Sequence, residues 1–194
     1  MFKGIKRLIR LVFFVLAVHF LIQAAGFLFP IKYNETVEKY AKKNNIEVNL
    51  VYGIINAESR FNSGAISNKG ARGLMQIKKD TALWCFDKMG ETSGAVDLLD
   101  PETNIKIGTW YFTYLKDELG SEELAIIAYN AGISNVKKWL DEGIVDIRVT
   151  NPDNIPFEET RKYIKKVVFY SDVYDTIIKI TDITEKIKMF WRKI

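Results

Sequence analysis

The stretch LVYGIINAESRF, Leu50 to Phe61, begins as a run that asks for burial and ends on an ionisable acid at position 58. Two readings compete. In the plainer one, a helix returns to solvent at Glu58, the commoner fate of a glutamate. In the sharper one, the acid is held in an apolar wall. Burial there disfavours the anion, raises the pKa and keeps the proton on the carboxyl near neutral pH. Ile54 and Ile55 precede Glu58 by four and three residues, so on a helix they share its face, and Phe61 and Met75 are candidates to extend the wall.

The pattern around this stretch is helical. Asn34-Glu35 opens an amphipathic helix with Val37, Tyr40 and Ala41 as its apolar stripe, and Asn49 is placed to cap a helix over Leu50 to Glu58. SGAISNKGARG, Ser63 to Gly73, is too rich in Gly and Ser for a stable helix and predicts an irregular or hairpin segment. Helical texture returns from Lys79 to Met89. Asp100-Pro101 combines a capping acid with proline at the first helical position, and the helix it starts runs to Gly120. Ser121 caps EELAIIAYNAG, with Glu122 and Glu123 at its positive end and Gly132 as a left-handed cap. A short helix over Val136 to Leu140, a loop at Asn151 to Pro156 and a long final helix from about Phe157 to near Lys179 complete the pass; whether that helix continues through Trp191 is open. There is no α–β alternation, run of strands, internal repeat or low-complexity linker. The expectation is a mainly α-helical domain.

Apolar residues make up 48% of the 194, enough for a packed core and too many for disorder. The net charge of +4 would suit nucleic acid, but its location does not. Lys3, Lys6, Arg7 and Arg10 precede an apolar run, and Lys186, Lys188, Arg192 and Lys193 follow the last acid; residues 11–185 hold 20 bases against 24 acids. With Phe190 and Trp191, the basic C-terminal end reads either as a lipid-headgroup contact or as a frayed solvated tail. Cys85 is the single cysteine, which excludes an internal disulfide or a C-x-x-C pair and fits a small buried apolar residue. His19 is the single histidine, so a His-based triad or metal site is excluded.

LVFFVLAVHFLIQAAGFLF, Leu11 to Phe29, carries no formal charge over 19 residues, close to the ~20 that span a bilayer as a helix. Bases before the span place the N-terminus in the cytoplasm and the rest outside. A cleaved signal peptide is the rival, since Gln23-Ala24-Ala25-Gly26 supplies small residues, although the run exceeds the ~7–15 of a signal core. The expected organisation is 1–30 as a basic N-terminus and anchor, 31–180 as a catalytic domain and 181–194 as a basic, aromatic tail.

Four motifs follow in order: Glu58-Ser59; Gly73-Leu74-Met75-Gln76; Ala128-Tyr129-Asn130-Ala131-Gly132; and Glu159-Thr160-Arg161 with Tyr163. Together with DLLDPETNIKIGTWYFTYL between the second and third, they resemble the lytic transglycosylase family with the lysozyme-like SLT domain, over about Asn45 to Tyr174. Four motifs in order at plausible spacing are far more specific than any one. The resemblance implies cleavage of the β-1,4 bond between N-acetylmuramic acid and N-acetylglucosamine in peptidoglycan, without water, leaving a 1,6-anhydro sugar. It implies one carboxylate where the general scheme uses two, with Glu58 as acid and then base. It places Ser59, Met75, Gln76, Tyr129, Asn130, Glu159 and Tyr163 about the substrate. The implied partners are glycan strands and the membrane, with cell-envelope or secretion machinery as a further candidate. No metal, organic cofactor or nucleic acid is implied.

Each of these residues has a plainer role as well. Ser59 suits a polar helix terminus, Gln76 a hairpin brace, Asn130 a helix cap, Tyr129 a core position and Glu159 an exposed surface. The sequence also departs from the family pattern. Asn62-Ser63 stands for the common Asn-Pro, Ile77-Lys78 for Met-Pro, and Ile133 for the Pro after AYNAG. These changes touch loop rigidity rather than reacting groups. A hydrolysing muramidase and a glycan-binding module without turnover remain the rival functions.

Overall fold

In a computed structural model, residues 2–91, 96–149 and 151–192 are described; Lys193, expected in the basic tail, lies outside them, as does the side chain of Lys3. The chain divides into two units, 1–32 and 33–194. The first is helix α1, Phe2–Leu28. Its Ile9–Leu28 segment is long and apolar enough to cross a membrane, and none of it is buried within the protein.

The second unit is built from α2 (Asn34–Lys43), α3 (Val48–Glu58), α4 (Lys79–Met89), α5 (Pro101–Leu119), α6 (Glu122–Ala131), α7 (Ile133–Asp141), a 3-10 turn at Pro152–Asn154, and α8 (Glu158–Trp191). No strand forms among the described residues; the Gly-rich segment makes two isolated antiparallel bridges, Ile66 with Arg72 and Arg72 with Ile77. The fold is mainly α-helical, with an apolar helix ahead of it.

Helix α3 is the centre of the unit: Leu50 through Ala57 are all buried. Burying a Leu or Ile side chain contributes about 2 kcal/mol, so this one helix carries much of the core. It crosses α8 at Gly53. A Cβ at Gly53 would come within 3.0 Å of the Ser171 nitrogen and 3.1 Å of the Val167 oxygen, so the two backbones touch there. Helix α5 starts as its sequence asks. The Asp100 carboxylate accepts from the Thr103 amide at 2.8 Å, Pro101 occupies the first turn and Gly120 closes the helix with φ +66°. The Ser121 hydroxyl caps α6 by accepting from the Leu124 amide at 3.3 Å. Helix α2 is tied to α5 by the Tyr40 hydroxyl on Glu102 (3.0 Å) and by the Asn44 amide on Thr109 (2.8 Å).

Two expectations about helix ends are corrected, and one left open is answered. Asn49 does not cap α3: the helix begins at Val48, the N-cap is Glu47 with no side-chain bond, and the Asn49 amide donates to Ser171 Oγ of α8 at 3.0 Å. Gly132 has φ +85° and ψ 140°, an extended form with positive φ that only glycine adopts readily rather than a left-handed cap. That form ends α6 and starts α7 in one residue, which is why α7 begins at Ile133 rather than Val136. Helix α8 continues well past Lys179, to Trp191.

Candidate active site

Helix α3 stops just after the acid because the chain turns sharply. Arg60 (φ +52°) and Phe61 (φ +61°) are consecutive left-handed residues, each costing about 1 kcal/mol for a side chain with a Cβ. Burial of Phe61 offsets that strain. Its ring lies 6.0 Å from Tyr52 and 6.1 Å from Tyr174, which are themselves stacked at 5.2 Å. The quoted stretch is therefore a buried helix, an acid at its end, and a strained turn locked by an aromatic cluster.

Glu58 is half-buried, and its pKa is raised from 4.5 to about 7. Loss of water is the main cause. It outweighs the Tyr163 hydroxyl and the Lys166 ammonium, both of which favour the anion, while the Glu159 carboxylate adds to the rise. Lys166 is engaged next door, donating from Nζ to the Ala57 carbonyl at 2.5 Å, and desolvation lowers its own pKa. Tyr163 is buried, 7% exposed, and its hydroxyl makes no hydrogen bond of normal geometry, although it approaches the Glu58 carboxyl closely enough to pull on the anion. Its nearest polar neighbour is thus the acid itself, and a small shift of either group would complete a bond between them.

Tyr129 enters from the end of α6. Its hydroxyl donates to the Met75 carbonyl at 2.9 Å, and its ring packs on Tyr111 at 5.6 Å and Phe112 at 6.4 Å. Its pKa stands well above 10, through burial first and then the nearby Glu58 charge. Asn130 beside it accepts from the Thr160 hydroxyl at 2.7 Å through Oδ1, so the orientation that suits this bond turns the amide N–H2 outward as a donor. Tyr129 and Asn130 also line an open pocket of about 230 Å³ with Gln76, Ile77, Thr81 and Tyr111.

The Gly73–Gln76 motif is a braced loop. Gln76 adopts φ +50°, and its amide donates to the Gly73 carbonyl at 2.9 Å and the Ala65 carbonyl at 3.2 Å. Both donors are thus spent on the backbone, and the side-chain carbonyl is what Gln76 has left for the pocket. Gly73 has φ +75°, and a Cβ there would lie 2.2 Å from the Leu98 oxygen and 2.3 Å from the Asn104 amide. Met75 does not present its thioether to the cleft, as the sequence reading had it. The side chain is fully buried, and it fills the space a Cβ on Gly108 of α5 would need, 2.4 Å from the sulfur. The physical reason is the glycine at 108, which opens a core hole that an unbranched side chain fills.

Ser59 closes α3 with its hydroxyl on the Ile55 carbonyl at 3.3 Å. Glu159 lies exposed on the first turn of α8, 3.3 Å from Lys69 of the Gly-rich segment. It reaches Glu58 by charge rather than by contact. The structure thus brings Glu58, Tyr129 and Tyr163 within reach of one another's charge, sets Asn130 and Gln76 along the pocket that Tyr129 lines, and leaves Ser59 and Glu159 outside that lining.

Sequence reasoning missed four contributors. Thr160 is 1% exposed and holds Asn130. Tyr111 lines the pocket. Lys166 opposes the acid's proton. Asn104, fully buried on α5, accepts from the Met75 amide at 2.7 Å and donates to the carbonyls of Arg72 and Leu98, both at 2.9 Å. Thr160 sits inside one of the four motifs, and Asn104 and Tyr111 sit inside the family-like stretch DLLDPETNIKIGTWYFTYL; Lys166 carried no such signal. Replacing Thr160 by valine keeps the shape and removes the hydroxyl. The expected outcome is a several-fold rise in KM with little change in melting temperature; an unchanged KM would show that Asn130 is oriented by something else.

The site is thus a half-buried carboxyl at the end of a buried helix, with two phenols beside it and an open pocket alongside, set in a helical domain. Residues 35–143 match the Transglycosylase SLT domain family, more than half of the chain, and the chain belongs to that family. It is similar to the soluble lytic murein transglycosylase of Salmonella typhimurium, 38% identical over 75% of this chain and 23% of that protein. It is similar also to membrane-bound lytic murein transglycosylase C of Actinobacillus pleuropneumoniae, 33% identical over 70% of this chain and 44% of that one. Among solved structures it resembles an inactive Glu-to-Gln mutant of the lytic transglycosylase Slt from Pseudomonas aeruginosa, with a TM-score of 0.73 and 31% identity over 80% of this chain and 26% of that chain. This chain therefore spans about a quarter to under half the length of these relatives.

Proposed function

We propose that the chain is a membrane-anchored lytic transglycosylase that cleaves the β-1,4 bond between N-acetylmuramic acid and N-acetylglucosamine in peptidoglycan and leaves a 1,6-anhydromuramoyl end. The observation that carries this reading is the placement of Glu58, a half-buried carboxyl at the end of the buried helix α3, beside the buried Tyr163 hydroxyl and near the pocket that Tyr129 and Asn130 line. The names of its relatives support the substrate, and the inactivity of the Glu-to-Gln mutant in a similar structure supports an essential glutamate.

Protonated Glu58 gives its proton to the glycosidic oxygen as the C1–O bond breaks, and the freed N-acetylglucosamine end leaves as an alcohol. The substrate's own N-acetyl oxygen shares the positive charge at C1. The Glu58 carboxylate then takes the proton of the muramoyl 6-hydroxyl, whose oxygen bonds to C1, so the acid is regenerated and no water is consumed. A group that acts in both directions works best with a pKa near the working pH. Tyr163 is placed to donate to the carboxylate between the two steps, and the Asn130 amide to hold an acetamido or hydroxyl group.

The first step needs the acid form. With a folded pKa of about 7, kcat/KM is expected to be flat below neutrality on this group's account and to fall about tenfold per pH unit above it. A pH profile on soluble glycan fragments measures this, and a limb near pH 4.5 would remove Glu58 from the acid role.

The anchor is α1, whose Ile9–Leu28 segment has the length and apolarity of a span. The bases ahead of it put the N-terminus in the cytoplasm and the catalytic unit on the cell-wall side. Mass analysis of peptidoglycan digested by the detergent-solubilised full chain tests the reaction. 1,6-Anhydro muropeptides are expected. Reducing-end products alone would mean a muramidase, and binding without products would mean a glycan-binding module.

A further inference from the structure

Helix α8 leaves the core long before it ends. Its last buried residue is Tyr174, and among the described residues every position from Lys179 onward is exposed. Besides Met189, five large apolar side chains are more than half exposed there: Ile180, Ile183, Ile187, Phe190 and Trp191. At about 100° per residue these, with Ile177, fall within roughly 140° of the helix circumference. Lys179 and Lys186 flank one edge of that face and Lys188 the other, while the acids Asp182 and Glu185 lie opposite; Ile178 and Met189 fall outside the stripe.

Apolar face, lysines along both edges, acids on the far side and aromatic residues at the tip is the arrangement that suits a helix lying in a membrane surface. The isoleucines enter the acyl boundary, the lysine stems follow them, and the ammonium groups stay with anionic headgroups. Pairing with a second copy is a poorer fit. With Ile180 and Ile187 at one core position and Ile183 and Phe190 at the other, Lys179 and Lys186 flank the seam, and the positions they would face are Thr184 and Trp191, with no acid to meet them. The lysines' present partners, Asp175 for Lys179 and Glu185 for Lys188, are exposed neighbours on the same helix and hold them weakly. Within the same chain, α1 supplies a reason for a bilayer to be at hand.

We propose that the exposed end of α8, from Ile177 to Trp191, is an interfacial helix that lies on an anionic lipid surface. The proposal is independent of the chemistry at Glu58. It is tested on the full chain in nanodiscs, one copy per disc, by hydrogen exchange of residues 177–192. In discs containing phosphatidylglycerol these amides are expected to exchange at least about tenfold more slowly than in phosphatidylcholine discs. The difference should vanish in the double variant Ile183→Glu/Ile187→Glu, with the amides of α5 unchanged in both. Equal exchange in the two lipids would overturn the proposal. So would protection in detergent that grows with protein concentration, which would assign the face to a second copy instead.

Discussion

Glu58→Gln is expected to lower peptidoglycan turnover by about 10³-fold or more, the scale of a lost general acid–base group, and at the same time to make the protein more stable at alkaline pH. The second half of this expectation separates a catalytic acid from a structural one. In the folded protein the carboxyl holds its proton up to a pH of about 7, against 4.5 ordinarily, so folding takes up a proton between those values. The stabilisation that results is complete below pH 4.5 and is lost as pH rises through 7. At pH 8 the ionised side chain costs the fold about 3 kcal/mol as an upper figure. Glutamine has the same shape and no charge to desolvate. Thermal melts of the variant and the parent should nearly coincide at pH 4 and separate at pH 8, with the variant higher by roughly 5 °C. A variant that melts lower at pH 8, or that retains most of its turnover, would end the argument for Glu58.

The second large effect lies away from the acid. Asn104→Ala removes one acceptor and two donors from a fully buried position and leaves the Met75 amide and the carbonyls of Arg72 and Leu98 without those partners. Orphaned buried groups cost about 1–3 kcal/mol each, and some are rescued by relaxation or entering water, so a loss of about 3–5 kcal/mol is expected in denaturant unfolding. Because Asn104 fixes the loop that carries Gln76 and receives Tyr129, the surviving folded fraction should also show weakened kcat/KM. A change below 1 kcal/mol would mean that the Gly73–Gln76 loop is held by its own bridges and not from α5.

The helices were legible where local chemistry sets them. Asp100-Pro101 and Gly120 marked both ends of α5, Ser121 marked α6, and the stripe of Val37, Tyr40 and Ala41 is buried as its spacing asked. What was not legible depends on partners far along the chain. Asn104 reads as one polar residue in a mixed helix, and nothing local says that a loop 29 residues earlier donates to it. Met75 reads as a residue about the substrate until Gly108 supplies the hole it fills. Asn49 has the chemistry of a cap, but a tertiary partner in Ser171 claimed its amide. The burial of the run that leads to Glu58 was legible in its apolar residues, whereas the Tyr163 hydroxyl that meets the acid is set by a helix a hundred residues away.

The contact at Gly53 links geometry to acidity. The acid rides on α3, while the phenol and the ammonium that influence it ride on α8, and the two rods meet with no side chain between them. Their separation is thus gauged by a missing methyl group. A bulkier residue at 53 would wedge the rods apart, let solvent reach the carboxyl and return it toward the strength of an ordinary glutamic acid. The alkaline limit of activity would then slide to lower pH with every reacting group still in the chain.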